Sequence, residues 1–154
     1  MKYTAKSPQA TTALGTALAQ VLEPGDVISL EGDLGAGKTQ FVKGIGIGFG
    51  IDPDQITSPT FTLINQYEGK FPIYHFDVYR IEPQELEDLG YEEYFYGSGI
   101  CLVEWGNIVR DYLPEEYLQI MINKTADDQR EFTFTAFGER YQRLISELKV
   151  VVRA

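Results

Sequence analysis

Gly32-Asp33-Leu34-Gly35-Ala36-Gly37-Lys38-Thr39 fits the pattern G-x-x-x-x-G-K-[ST], whose chemistry is the grip of a phosphate tail. Glycines let the backbone curl until successive N–H groups point at phosphate oxygens, and a helix beginning after them turns its positive end toward the same anion. Lys38 is placed to neutralise the outer phosphates. Thr39 offers a hydroxyl to Mg²⁺, a cation that otherwise prefers water, phosphate and carboxylate oxygens. Asp33, Leu34, Gly35, Ala36, Gly37 and Gln40 complete the stretch expected to touch a nucleotide. A glycine-rich turn with an accidental Lys-Thr is the alternative. The apolar run before the loop and the helical stretch after it argue against that.

Such a loop needs a second carboxylate for the metal, usually at the C-terminal end of a neighbouring buried strand. Two residues qualify: Glu104 after Ile100-Cys101-Leu102-Val103, and Asp77 after Ile73-Tyr74-His75-Phe76. His75 is either a general base or a packing residue beside aromatics. Thr57-Ser58-Pro59-Thr60 reads either as a switch segment that senses a γ-phosphate or as an ordinary Ser/Pro turn. Trp105 is either an aromatic platform or a core residue. Asn123-Lys124-Thr125-Ala126 reaches Asp127 one residue too late for an N-K-x-D guanine box, which favours ATP over GTP. A small-molecule kinase would need more cations than Lys43, Lys70 and Arg80 between the loop and Glu104, so it stands as the weaker enzyme alternative. A nucleotide-binding adaptor without hydrolysis is the other alternative.

The elements that must position these residues are legible in outline. Ser7-Pro8 caps a helix with Ala13, Leu14, Ala17, Leu18 and Val21 on one stripe. Val27 to Leu30 reads as a short strand into the loop, with a helix from Thr39 onward. Gly44, Gly46, Gly48 and Gly50 weaken that helix, which is expected either to end early or to pack very closely against the sheet. Thr60 to Tyr67 and Ile73 to Tyr79 flank Glu68-Gly69-Lys70 as an antiparallel hairpin, and Pro83 opens a short acidic helix ending near Gly90. Ile100 to Val103 has the unbroken apolarity of a strand buried on both faces, whereas Leu118, Ile120 and Ile122 alternate with polar neighbours. Phe132 and Phe134 mark a further strand, and a helix follows from Glu139 to about Lys149. The expected fold is α/β, a single domain over residues 1–154: a P-loop NTPase-like mixed sheet flanked by helices, with an antiparallel hairpin insertion.

The chain has 154 residues, 13 of them Lys or Arg and 23 Asp or Glu, for a net charge of −10. That field opposes unaided binding to nucleic acid. One cysteine, Cys101 in an apolar run, cannot form an internal disulfide and reads as a small buried hydrophobe. No secretory signal is visible in Met1 to Thr12, and no stretch approaches the roughly 20 apolar residues of a membrane span. A cytoplasmic setting without membrane attachment is expected.

The motifs GDLGAGKT (Gly32–Thr39), TSPTF (Thr57–Phe61), HFDVYR (His75–Arg80) and VEW (Val103–Trp105), in this order, resemble the TsaE (YjeE) family. The likeness runs from about Gln9 to Leu148 and includes the spacing of Arg130, Gly138 and Arg140. It implies a small Mg²⁺-dependent ATPase of tRNA threonylcarbamoyladenosine (t6A) formation, with ATP and Mg²⁺ as ligands. The implied partners are TsaB and TsaD, and tRNA is met only through that complex. By this resemblance Lys38 and Thr39 bind phosphate and Mg²⁺, Glu104 completes the metal site, and Asp77 serves hydrolysis. Thr57, Ser58, Thr60 and Trp105 respond to nucleotide or face the partner, and Thr11 lies near the adenine. Many family members follow Glu-Trp with Pro, where this chain has Gly106-Asn107.

Overall fold

The first helix forms where a cap and an apolar stripe coincide. Ser7 Oγ accepts the Ala10 N–H at 3.1 Å, Pro8 opens the first turn, and α1 (Pro8–Ala19) buries Leu14 and Leu18. β2 (Val27–Glu31) is buried at every residue and feeds the loop that leads into α2 (Lys38–Gly48). The computed structural model describes residues 1–33, 36–59 and 63–153.

α2 runs through Gly44 and Gly46 to Gly48 rather than ending early. The expected close packing is present, but its partners are α1 and Ile56 rather than the sheet. A Cβ on Gly15 would stand 2.5 Å from the Phe41 carbonyl oxygen, and one on Gly44 would strike the Thr12 carbonyl. Thr16 Oγ1 reaches across to donate to Gly44 O at 2.9 Å. The glycines thus let two helix backbones touch.

Beyond α2, β3 (Ile64–Glu68) and β4 (Pro72–Asp77) pair as the expected antiparallel hairpin. Two short helices follow, α3 (Glu85–Asp88) and α4 (Tyr91–Phe95). β5 (Ile100–Glu104) is buried throughout, and a 3₁₀ segment (Gly106–Tyr112) leads to β6 (Tyr117–Lys124), β7 (Arg130–Phe137) and α5 (Glu139–Arg153). With β1 (Lys2–Ala5), which no sequence signal announced, they form a seven-stranded sheet of order β1-β7-β6-β2-β5-β4-β3. β4, β5, β2 and β6 run parallel, and the outer pairings are antiparallel. One face packs on α1, α2 and α5 through Leu14, Phe41, Ile45 and Leu144, and the other on the short helices through Phe76, Leu86, Phe95 and Val109. This is the mixed, helix-flanked sheet that the sequence implied.

α5 extends to Arg153, past the expected Lys149. Two of its basic residues are engaged: Arg140 meets Asp26 at 2.7 Å, and Arg143 meets Glu23 at 3.2 Å. Among the described residues no helix is long and apolar enough to cross a membrane. For function the decisive feature is the parallel register, which sets Leu30 and Asp77 each opposite Glu104 and gathers three strand ends at one edge of the sheet.

Candidate functional site

β2 delivers the chain to Gly32 at φ 146°, where any Cβ would run into the Ile122 carbonyl of β6. Gly37, at φ 100°, turns the chain into α2. The first bond of that helix joins Phe41 N–H to Gly37 O at 3.0 Å. The N–H groups of Lys38, Thr39 and Gln40 therefore precede the helical ladder and face outward with the positive end of the helix dipole. No acidic side chain in the first turn competes for them. Arg130 Nε donates to Ala36 O at 2.9 Å and ties the loop to β7.

Lys38 is 6% exposed, with Nζ donating to Gly32 O at 2.6 Å and lying 3.9 Å above the Trp105 ring centroid. Burial pushes its pKa down, while the charges of Glu104, Asp77 and Asp33 pull it back up. A cavity of about 450 Å³ opens beside it, lined by Thr39, Ser58, Asp77, Arg80 and Glu104 among others. Asp77 Oδ1 accepts the Tyr79 N–H at 3.0 Å, which fixes the turn after β4. Glu104, 3% exposed, is bonded through Oε2 to Nε2 of the fully buried His75 at 2.5 Å.

Trp105 combines features of both readings, packing against the second apolar cluster and also lining the cavity wall. Its half-buried indole carries the Lys38 ammonium on one side and meets the Tyr79 ring, 4.6 Å between centroids. Among the described non-glycine residues only Trp105 (φ 64°) and Leu63 (φ 68°) adopt left-handed backbone. Such strain concentrates at functional sites.

Lys38, Thr39, Asp77 and Glu104 thus converge on one cavity, together with Ala36, Gly37 and Gln40. Ser58 reaches it too. Thr57 is held behind the wall, its N–H donating to the Tyr67 hydroxyl at 3.2 Å and its carbonyl accepting from Asn65 Nδ2 at 3.3 Å. Asp33 is exposed at the loop's outer edge. Thr11 does not line the phosphate cavity; it borders a neighbouring one of about 190 Å³ with Gly37, Gln40 and Arg130. Leu34, Gly35, Thr60 and Phe61 lie outside the described residues. Two participants were underweighted in the sequence. No arginine adjoins the loop in chain order, yet the turn after β4 brings Arg80 to the cavity wall. His75, read as base or packing, is bonded to the candidate metal carboxylate.

The donors around the cavity are hard oxygens, a hydroxyl and two carboxylates, which suit Mg²⁺ rather than a soft transition metal. Among the described residues no group of three or more His, Cys, Asp or Glu converges as a metal cage. A cation here would complete its shell with water and substrate phosphate, the usual habit of Mg²⁺.

Residues 5–132 match the family model described as "Threonylcarbamoyl adenosine biosynthesis protein TsaE". The chain is 52% identical over 149 residues to the tRNA threonylcarbamoyladenosine biosynthesis protein TsaE of Bacillus subtilis, covering 96% of this chain and 93% of that one. It is 45% identical to the protein of that name in Treponema pallidum, over 86% of this chain and 98% of the other. Among solved structures, the crystal structure of Bacillus subtilis YdiB superposes with a TM-score of 0.84 at 47% identity, covering 97% of this chain and 94% of that one.

Proposed function

The chain belongs to the TsaE family of threonylcarbamoyl adenosine biosynthesis proteins, and from that premise we propose that it binds Mg²⁺-ATP at the loop and hydrolyses it slowly. The hydrolysis serves tRNA threonylcarbamoyladenosine formation by acting on a TsaB–TsaD complex. One observation carries this reading: a buried lysine, bonded to the Gly32 and Asp33 carbonyls, faces a cavity where a threonine hydroxyl and two strand-end carboxylates meet.

Lys38 exchanges the Gly32 carbonyl for phosphate oxygens, and the N–H groups of Lys38, Thr39 and Gln40 grip the same tail. Thr39 and Glu104 would hold Mg²⁺, which when bound would supply charge neutralisation of the phosphoryl group. Asp77, opposite Glu104 in the ladder, is the carboxylate left to orient the attacking water. Arg80 is exposed at the rim, and Ser58 sits at the mouth of the cavity. With the second cation at the rim rather than packed against the phosphates, the isolated chain is a slow enzyme. A partner that seats Arg80 and the Thr57–Ser58 segment accelerates it. The net charge of −10 supports a division of labour in which tRNA is met through the partners.

The test is phosphate release by the chain alone and with TsaB and TsaD. Stimulation by the pair is expected. Equal rates would overturn the partner-dependent account, and transfer of the phosphoryl group to a small acceptor would favour the kinase reading.

A further inference from the structure

We propose that His75 is a positioning residue for the metal-holding carboxylate: its Nε2–H clamps Oε2 of Glu104 and so dedicates Oε1 to the cation. The inference rests on the assignment of Glu104 just made. It goes beyond that assignment by naming what keeps the carboxylate in place.

The geometry begins in the sheet. His75 stands opposite Leu102 in the parallel ladder between β4 and β5, one pair before Asp77 meets Glu104. His75 and Glu104 are diagonal neighbours on the same face, and strand pairing fixes both backbones. An ionised carboxylate only accepts hydrogen bonds, so the proton in the 2.5 Å contact belongs to Nε2. Nδ1 is the other nitrogen of the ring. It is buried and has no partner among the described residues.

That orphan nitrogen is informative. Buried polar atoms are almost always paired, and a ring kept only for packing would be better served by an apolar side chain. Here one nitrogen goes unsatisfied while the other holds Glu104, which is what a positioning role requires. The neighbouring lysine supplies the need for it. Lys38 lines the same cavity as Glu104 and would attract a free carboxylate, closing the space where a cation must sit. Its Nζ bonds instead to Gly32 O at 2.6 Å and Asp33 O at 3.4 Å, while Glu104 is bonded to His75. The Tyr67 ring, 6.4 Å from the imidazole between centroids, flanks His75 on the β3 side while its hydroxyl tethers Thr57.

Partners that orient metal-ligating side chains typically contribute about 10- to 100-fold in metal affinity or activity. The experiment compares wild type, His75→Leu, His75→Gln and Glu104→Gln in the full chain. Gln carries an amide N–H to roughly the position of Nε2, whereas Leu fills the space without a donor. Two quantities are read: ATP affinity in EDTA, and the Mn²⁺ half-saturation of the protein–ATP complex by electron paramagnetic resonance. For His75→Leu the expected result is EDTA affinity within about twofold of wild type and a Mn²⁺ half-saturation raised about tenfold, with His75→Gln restoring most of it. Equal loss in both quantities for the Leu and Gln variants would assign His75 a structural role and overturn the inference. A change confined to Glu104→Gln, with both His75 variants like wild type, would overturn it while leaving the Glu104 assignment standing. An unchanged Mn²⁺ half-saturation in Glu104→Gln would overturn the assignment and the clamp together.

Discussion

The two ends of the parallel strands make an instructive pair. At the N-terminal end lies the larger cavity, about 630 Å³, bordered by Asp26, Arg140 and Tyr141; the loop cavity at the C-terminal end measures about 450 Å³. Size alone does not tell them apart; chemistry does. At the N-terminal end the charges answer one another: Asp26 takes Arg140 through both oxygens, at 3.0 and 2.7 Å, and the Tyr141 hydroxyl accepts the Val27 N–H at 2.9 Å. At the loop end Lys38, Asp77 and Glu104 share a cavity, and the lysine bonds backbone instead of either carboxylate. The first arrangement locks α5 to the start of β2. The second sets a lysine and two carboxylates around one open cavity.

The largest expected break between the two ends comes from Lys38→Ala. It should weaken ATP binding about 100-fold, the loss of charge-assisted bonds worth roughly 2.7 kcal/mol, with little change in thermal stability. Calorimetric titration and a melting curve check the two halves. Asp26→Ala should do the reverse. Removing one partner of this largely buried ion pair costs about 3 kcal/mol of stability and leaves ATP affinity unchanged, as denaturant unfolding and the same titration would show. If Asp26→Ala abolished nucleotide binding at normal stability, the contrast between the ends would be false.

A smaller effect sharpens the comparison at the helices behind the loop. Gly44→Ala drives a methyl into the Thr12 carbonyl and should cost about 1 to 3 kcal/mol by overpacking, read as a lowered denaturation midpoint. A further effect, of a different kind, is alkaline. Burial pushes the Cys101 thiol and the Tyr141 hydroxyl up to about 12, from ordinary values of 9.0 and 10.0. Both groups stay protonated in the folded chain while the unfolded chain ionises, so their contribution is complete below pH 9 and is lost as pH rises toward about 12. Unfolding free energy measured across that range should fall. Tyr141→Phe should flatten part of the slope.

What the sequence disclosed and what it hid divide along physical lines. Gly32 to Thr39 is a local device, readable because turn, charge and helix start lie within eight consecutive residues. Glu104 and Asp77 were readable because each closes an apolar run, the mark of a buried strand's end. The bond from His75 to Glu104 spans 29 residues and exists only because β4 lies beside β5 in parallel register. Spacing along the chain carries no trace of it. β1 was hidden for a related reason: four residues have too little pattern to declare a strand, and its existence depends on pairing Tyr3 with Phe132 at the far end of the chain. The glycines of α2 did signal close contact. That the contact is with α1 became visible only once the two helices were placed side by side.

Trp105 offers the most direct test, because it is the sole tryptophan and its indole carries the Lys38 ammonium. ATP with Mg²⁺ should draw Lys38 away from the ring, so indole emission should change saturably with one nucleotide per chain, and the change should vanish in Lys38→Ala. Emission that stays flat up to millimolar ATP, or a response preserved in Lys38→Ala, would contradict the nucleotide grip.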